Sequence, residues 1–285
     1  MVETDRTPRT RPTTLVVVAG TGTEVGKTWV ARRVASRLAE AGLVVMARKP
    51  AQSFDEADTT TDADELAAGT GETAETVCPP RRWYTVPMAP PMAADALGRP
   101  PIRLADLAAE VGGSWSGRAP DVGLVELAGG LRSPIAHDGD GVDLIDALDP
   151  DLVVLVADAG LGTINSVRLS LDALAGRPVV VVLNRFDGGD ELHGANRRWL
   201  EKDAGVIGAG PVVTSVDELA EHLREQVLPT FCLGCGRRRP ECDGSCAGPY
   251  EAPHHCPTCG RHLVVTIIPT GVHARCKVHG PLPPA

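Results

Sequence analysis

Residues 20–28, Gly-Thr-Gly-Thr-Glu-Val-Gly-Lys-Thr, place a flexible turn, a cation and a hydroxyl within nine positions. The run Leu15-Val16-Val17-Val18-Ala19 before them predicts a buried parallel strand. Trp29 to Leu38 after them carries apolar residues at helical spacing. Strand, glycine-rich turn and then Gly-Lys-Thr opening a helix is the layout of a phosphate-binding loop. Backbone N–H groups from Gly22, Glu24, Val25 and Gly26 would cradle a polyphosphate, and the positive end of the helix dipole adds to that field. Lys27 would reach the β- and γ-phosphates, and the Thr28 hydroxyl would ligate Mg²⁺. The usual spacing wants glycine at position 21; this chain has Thr21, with Gly20 one residue earlier.

Magnesium takes hard oxygen ligands, usually carboxylates, hydroxyls, phosphate oxygens and water. Glu126 closes the apolar run Asp121–Glu126 and is the first carboxylate candidate. Asp62, inside the acidic stretch Asp55–Glu75, is the second; a helix N-cap is its alternative reading. Lys49 follows the short apolar run Leu43–Ala47 and precedes Pro50, which would aim a second cation at the same cleft. Phosphoryl transfer is mostly positioning and charge neutralisation, so two lysines around one phosphate make physical sense.

Stepping along the chain, further apolar runs at Asp151–Val156 and Pro178–Leu183 predict buried strands, with Val212-Val213 as a last short one. Helices are expected from Gly160-Leu161-Gly162-Thr163-Ile164-Asn165 through Leu174, and over Val216–Val227. Strands alternating with helices imply an α/β class, a doubly wound and mostly parallel sheet. Such sheets bind ligands at the carboxyl ends of their strands, where every polar motif above falls.

Acidic residues exceed basic ones by 9, which argues against a general nucleic-acid binder. No apolar stretch approaches the roughly 18 residues of a membrane span. Residues 1–12 are polar, carry Arg6, Arg9 and Arg11, and lack the apolar segment of a secretory signal. A disordered tail and a cytoplasmic location are expected.

Of the 8 cysteines, Cys78 stands alone and the others fall between Cys232 and Cys276. Clustered C-x-x-C pairs in such a chain point to metal rather than disulfides. Cys256, Cys259, Cys276 and His279 have the spacing of a zinc ribbon, with Leu263–Ile268 suited to one arm of a hairpin. Cys232, Cys235, Cys242 and Cys246 form a second possible tetrad, and cross-paired ligands between the two sets remain open. Closed four-ligand sites are structural, so metal would supply much of the folding free energy of so small a module. Its expected use is protein contact or dimer support. The expected division is a tail at 1–12, a P-loop domain at 13–228 and a zinc-binding module at 229–285.

The loop G-T-x-T-E-V-G-K-T resembles that of dethiobiotin synthetases, P-loop enzymes of biotin formation. Lys49-Pro50-Ala51-Gln52-Ser53, Asp62-Ala63, Pro87 to Ala94, Glu126 with Gly129-Gly130, Gly160 to Asn165 and Asn184 are similar to that family's later motifs, in order, over residues 14 to about 227. The resemblance implies ATP-dependent ring closure. 7,8-Diaminopelargonate takes up CO₂ as a carbamate, ATP phosphorylates it, and the second amine closes a cyclic urea. It implies catalytic roles for Lys27, Lys49 and Thr23, diamine contacts from Thr23, Lys49 and Ser53, and an adenine contact from Asn184. The turn Gly162-Thr163-Ile164-Asn165 would hold the substrate carboxylate and come from a neighbouring subunit, so a homodimer is implied. Leu127 and Phe54 stand where the family has glycine, which would add bulk beside the phosphate site and near the diamine pocket. A related synthetase with another amine or carboxylate substrate, or a nucleotide-dependent switch whose tail binds a partner, are the alternatives.

Overall fold

The computed structural model describes residues 11–115, 120–174, 176–207, 210–227, 231–237, 242, 246, 251–257, 259–268, 271–278 and 280–282. The chain divides into two compact units, residues 1–221 and 222–285.

The first unit is built on β1 (Thr14–Gly20), β2 (Val45–Arg48), β3 (Val122–Glu126), β4 (Leu152–Asp158), β5 (Val179–Asn184) and β6 (Val212–Val213). They form one sheet in the order β6-β5-β4-β1-β3-β2, and every pairing is parallel. β1 is buried along its whole length because it is paired on both edges and covered on both faces. That burial explains a continuous apolar run instead of an alternating one. The strand order reverses beside β1, and the register sets Val18 opposite Glu126. The carboxyl ends of β1 and β3 therefore open onto the crevice where such sheets bind ligands.

Helix α1 (Lys27–Glu40) buries Val30, Ala31, Val34, Ala35 and Leu38, spaced three and four apart on one face. Helices α2 (Asp62–Thr70), α3 (Pro90–Ala96), α4 (Leu104–Gly113), α5 (Gly141–Leu148), α6 (Thr163–Ala173), α7 (Glu191–Ile207) and α8 (Val216–Val227) follow. The helix expected to end at Leu174 ends at Ala173, and the last helix has the expected bounds.

Two local differences from expectation have clear causes. The strand expected over Leu43–Ala47 is Val45–Arg48, because the Asp121 carboxylate takes the Val44 N–H at 2.8 Å ahead of the ladder. The acidic stretch Asp55–Glu75 contains α2, whose N-cap is Thr61 in a capping box with Asp64. Asp62 is thus the first helical residue and not the cap. Of the tail expected at 1–12, residues 1–10 lie outside the described residues, and its end departs from the expectation: Pro12 is buried and the Arg11 guanidinium donates to the Asp149 carbonyl at 2.6 Å.

The second unit contains a three-stranded antiparallel sheet, β7 (Val264–Ile268), β8 (Gly271–Cys276) and β9 (Gly280–Pro281). β7 forms the expected hairpin arm. All of its side chains are exposed or half-buried, so the strand gives this unit little apolar core. Among the described residues, no helix is long and apolar enough to cross a membrane.

Candidate nucleotide and metal sites

The glycine loop runs from the end of β1 into α1, and the last residue of β5 and the one after it hold it. Asn184 donates its side-chain amide to the Val25 carbonyl at 2.9 Å. Gly26 has φ 92°, and a Cβ there would lie 2.1 Å from Asn184 Nδ2, so position 26 needs glycine twice over. Arg185 donates to the Glu24 carbonyl and to Asp158, each at 2.9 Å, with its own backbone at φ 57°. Arg185 and its clamp were not expected from the sequence; an arginine after a strand carries no local signal of left-handed backbone. Lys27 is the first residue of α1, and its ammonium folds back onto the Gly22 carbonyl at 3.0 Å.

Four elements bring one polar cluster together. Thr28 Oγ1 lies 2.8 Å from Asp62 Oδ1 and 2.9 Å from Glu126 Oε1. Lys49 Nζ lies 2.6 Å from Asp62 Oδ2 and 2.6 Å from Glu126 Oε1. Gln52, itself buried, accepts from the Ala63 N–H and donates to Thr61, which pins the start of α2 and hence Asp62. That role for Gln52 was also not anticipated.

The cluster's charges are tuned by burial. Burial pushes the Glu126 carboxyl up and Asp62 adds to it, outweighing the opposing Lys49 ammonium. Burial also acts upward on Asp62, but Lys49 and the Thr28 hydroxyl outweigh it and hold Asp62 below the usual carboxylate range. Lys49 is buried yet stays firmly protonated, since Glu126 and Asp62 overcome its desolvation. For Lys27 the balance goes the other way: burial first, then Lys49, outweigh the same two carboxylates and draw it below an ordinary lysine. Glu126 Oε2 is buried and has no hydrogen-bond partner. A hydroxyl and two carboxylates, one of them with an orphaned oxygen, form a hard-oxygen set suited to a divalent cation of the Mg²⁺ type.

A cleft of about 740 Å³ opens over this cluster, and Thr23, Lys27, Lys49, Ser53 and Asp62 are among its walls. The Ser53 hydroxyl donates to the Met88 carbonyl. A second cavity of about 620 Å³ lies on the other side of Gly26, against Asn184, Phe186 and Thr214. The turn Gly162-Thr163-Ile164-Asn165 lines neither of these two cavities; Gly162 caps α6 with φ 89°, and Thr163 Oγ1 is buried without a partner. Neither Leu127 nor Phe54 lines the cleft. Leu127 is 1% exposed within the apolar core, and Phe54 sets its ring edge-on to Trp83. Neither side chain therefore adds the expected bulk to this cleft.

In the second unit the thiols gather into two groups. Cys232, Cys235, Cys242 and Cys246 form one, with Sγ–Sγ separations of 3.3–3.5 Å along the pairs Cys232–Cys246, Cys235–Cys242 and Cys242–Cys246. Cys256, Cys259 and Cys276 form the other, with Cys259 and Cys276 at 3.8 Å. A tetrahedral zinc ion with Zn–S of about 2.3 Å sets its sulfurs about 3.8 Å apart, which the Cys259–Cys276 pair matches and the first group, at 3.3–3.5 Å, falls short of. Among the described residues no ligand is exchanged between the groups, so the cross-pairing left open by spacing is not adopted. His279, expected as a fourth ligand, lies outside the described residues. The N–H of Cys235, then Cys246, hold the Cys232 thiol down at about 6, a direction that favours a metal-binding thiolate.

A parallel sheet reversing beside a lysine-bearing glycine loop defines a P-loop nucleotide-binding protein. The family model described as an AAA domain matches residues 14–227. The ATP-dependent dethiobiotin synthetase BioD of Haloferax mediterranei is 37% identical over 222 residues, covering 74% of this chain and 92% of its own. That of Rhodococcus jostii is 42% identical over 56% of this chain and 68% of its own, and that of Anaeromyxobacter dehalogenans 40% over 61% and 78%. The chain belongs to the dethiobiotin synthetase family of P-loop proteins and is an ATP-dependent ligase.

Proposed function

We propose that the chain closes the ureido ring of dethiobiotin from 7,8-diaminopelargonate, CO₂ and ATP, as a cytoplasmic homodimer. The observation that carries this reading is Lys49 Nζ held between Asp62 and Glu126 at the mouth of the Lys27 loop. An amine of the substrate attacks CO₂, loses a proton and leaves a carbamate. A carbamate oxygen then attacks the γ-phosphorus as the bond to ADP breaks. The second amine attacks the carbonyl carbon of the mixed anhydride, inorganic phosphate leaves, and the ring closes with loss of a proton.

Lys27 neutralises the γ-phosphate, and the loop N–H groups hold its oxygens. Lys49 faces the carbamate and the transferring group, while Thr23 and Ser53 hydrogen-bond the diamine end. Asn184 reads the adenine in the cavity behind Gly26. Thr28, Asp62 and Glu126 would hold Mg²⁺, which would supply charge neutralisation to the phosphates. The turn Gly162–Asn165 would receive the substrate carboxylate across the dimer, at a helix N-terminus. Leu161, 91% exposed just ahead of that turn, supports a covering second copy.

The two cysteine groups are read as structural zinc sites, Cys232, Cys235, Cys242 and Cys246 in one, and Cys256, Cys259, Cys276 and His279 in the other. The module then serves protein contact, a role supported by exposed Val264 and Ile267 on its hairpin. Phosphate release from ATP and Mg²⁺, measured with and without 7,8-diaminopelargonate plus bicarbonate, tests the ligase reading. Release that requires the diamine, with dethiobiotin as product, is the expected result. Nucleotide binding without diamine-dependent release would overturn it.

A further inference from the structure

Residues 231–237, Phe-Cys-Leu-Gly-Cys-Gly-Arg, and residues 255–261, His-Cys-Pro-Thr-Cys-Gly-Arg, share the pattern C-x-x-C-G-R. Their backbones share one hydrogen-bond scheme. In the first, the Cys232 N–H donates to the Arg237 carbonyl and the Gly236 N–H to the Cys232 carbonyl, at 2.8 and 2.9 Å. In the second, Cys256 donates to Arg261 and Gly260 to Cys256, both at 2.8 Å. Gly236 and Gly260 have φ 71° and 67°.

The two loops are also joined reciprocally. The Phe231 N–H donates to the Pro257 carbonyl, and the His255 N–H to the Leu233 carbonyl, each at 2.9 Å. Phe231 and His255 each precede the first cysteine of their own loop, and Pro257 and Leu233 each follow the first cysteine of the other. A Cβ on Gly236 would lie 2.5 Å from the His255 ring and 2.8 Å from the Gly260 carbonyl. A Cβ on Gly260 would lie 2.7 Å from the Phe231 ring and 2.9 Å from the Gly236 carbonyl. Each equivalence exchanges the two loops, which is the signature of a local two-fold relation. His255 is committed to this joint: its Nδ1 lies 2.8 Å from the Gly234 carbonyl and its ring stacks on His262.

From this reciprocity we infer that the module holds two metal ions in two separate thiolate sites whose loading is cooperative. The inference rests on reading the two cysteine groups as zinc sites. An ion in either group fixes one C-x-x-C loop, and that loop supplies the hydrogen-bond acceptor and the glycine surface on which the other loop is built. With so little apolar core, ordering of the first loop is free energy the second site no longer has to supply. One ion shared by both loops is disfavoured because Cys232 and Cys235 gather with Cys242 and Cys246, while Cys256 and Cys259 gather with Cys276.

The test uses the full-length chain, stripped of metal under reducing conditions and titrated with Co²⁺. Thiolate-to-metal and d–d absorption report site filling, and native mass spectrometry counts ions per chain. Two ions per chain are expected, with the singly loaded species scarce at half-saturation. Cys242→Ala and Cys276→Ala each remove a ligand from one group, and each is expected to weaken binding at the other, intact group by about 5–150-fold. Gly236→Ala keeps all thiols but drives a methyl into the Gly260 carbonyl, and is expected to split loading into two separated steps. Two ions that load independently, or a Gly236→Ala titration identical to the parent, would overturn the coupling while leaving the zinc reading intact. One ion or none per chain would overturn the two-site reading itself.

Discussion

Lys49 Nζ lies 2.6 Å from Glu126 Oε1, and both side chains are at most 2% exposed. A cation from the end of β2 is thus buried against the carboxylate that ends β3. Removing one partner strands the other's charge in a poorly solvated site, which costs far more than the pair contributes. Lys49→Ala is expected to lower stability by about 3–5 kcal/mol, read from urea unfolding. The double replacement Lys49→Met with Glu126→Gln should recover most of that loss yet show no diamine-dependent phosphate release. Recovery of turnover along with stability would place the pair outside the chemistry.

The phosphate loop makes a sharper kinetic forecast. Lys27→Ala and Thr28→Val remove groups proposed to meet charge that develops during transfer, so each should slow phosphate release by about 10²–10³-fold. Lys27→Ala should change the melting temperature little, because among the described residues its ammonium hydrogen-bonds only the Gly22 carbonyl, at 3.0 Å. Thr28→Val also loses the contacts to Asp62 and Glu126 and should melt somewhat lower. Steady-state release assays beside thermal melts separate the two effects. A loss of stability as large as the loss of rate would count against a direct role.

Gly26→Ala should behave differently. It forces an L-residue to φ 92° and pushes a methyl to within 2.1 Å of Asn184 Nδ2. Both the loop and its clamp must shift, so ATP affinity, followed by calorimetry, should fall before any chemistry is reached.

The Cys78 thiol is buried, and desolvation pushes it up to about 12. It should stay protonated and unmodified by iodoacetamide at pH 8 in the folded chain, and react only after denaturation. Peptide mapping of alkylated protein gives the answer; rapid labelling of native Cys78 would contradict its burial.

Arg82 pairs with Glu110 at 2.7 Å, and Arg81 lies at 3.4 Å. Burial acts upward on Glu110, but Arg82 and then Arg81 outweigh it and hold the carboxyl below its ordinary value. The unfolded chain therefore binds this proton more readily than the folded one. Stabilisation from Glu110 is complete above the unfolded value, about 4.3, and is lost as pH falls through the lower folded value. The parent should melt above Glu110→Gln by a constant margin from pH 7 to about 5.5, and the margin should vanish in stronger acid. A margin that grows on acidification would reverse the sign.

Much of the first unit was legible because its signals are local. Buried parallel strands leave apolar runs such as Leu15–Ala19, and the loop that follows is nine consecutive residues. Glu126 and Lys49 were found because each sits next to such a run. Arg185 was not, since its value lies in a positive φ and a reach across to Glu24, neither written in neighbouring residues. Leu127 and Phe54 were read as intruding on the site because their identity is visible in sequence and the direction of their side chains is not. In the second unit, spacing gave the cysteine groups but not their pairing. C-x-x-C suits a shared ion or two separate ones, and the Gly236–Gly260 approach depends on how two distant loops pack.

The register of β3 against β1, with Val18 opposite Glu126, has a consequence for how correctly made molecules can be recognised. Strand side chains alternate between faces, so a slip of one residue would turn Glu126 away from Thr28 and Lys49. A mispaired sheet would still be apolar, collapsed and rich in regular structure, and spectroscopy of the backbone would scarcely register the fault. Retention on an immobilised triphosphate would register it, since the loop, α2 and β3, which carry the proposed nucleotide and Mg²⁺ contacts, come together only when all three are aligned. Nucleotide capture is thus a proofreading readout of sheet alignment, sorting native chains from well-ordered impostors.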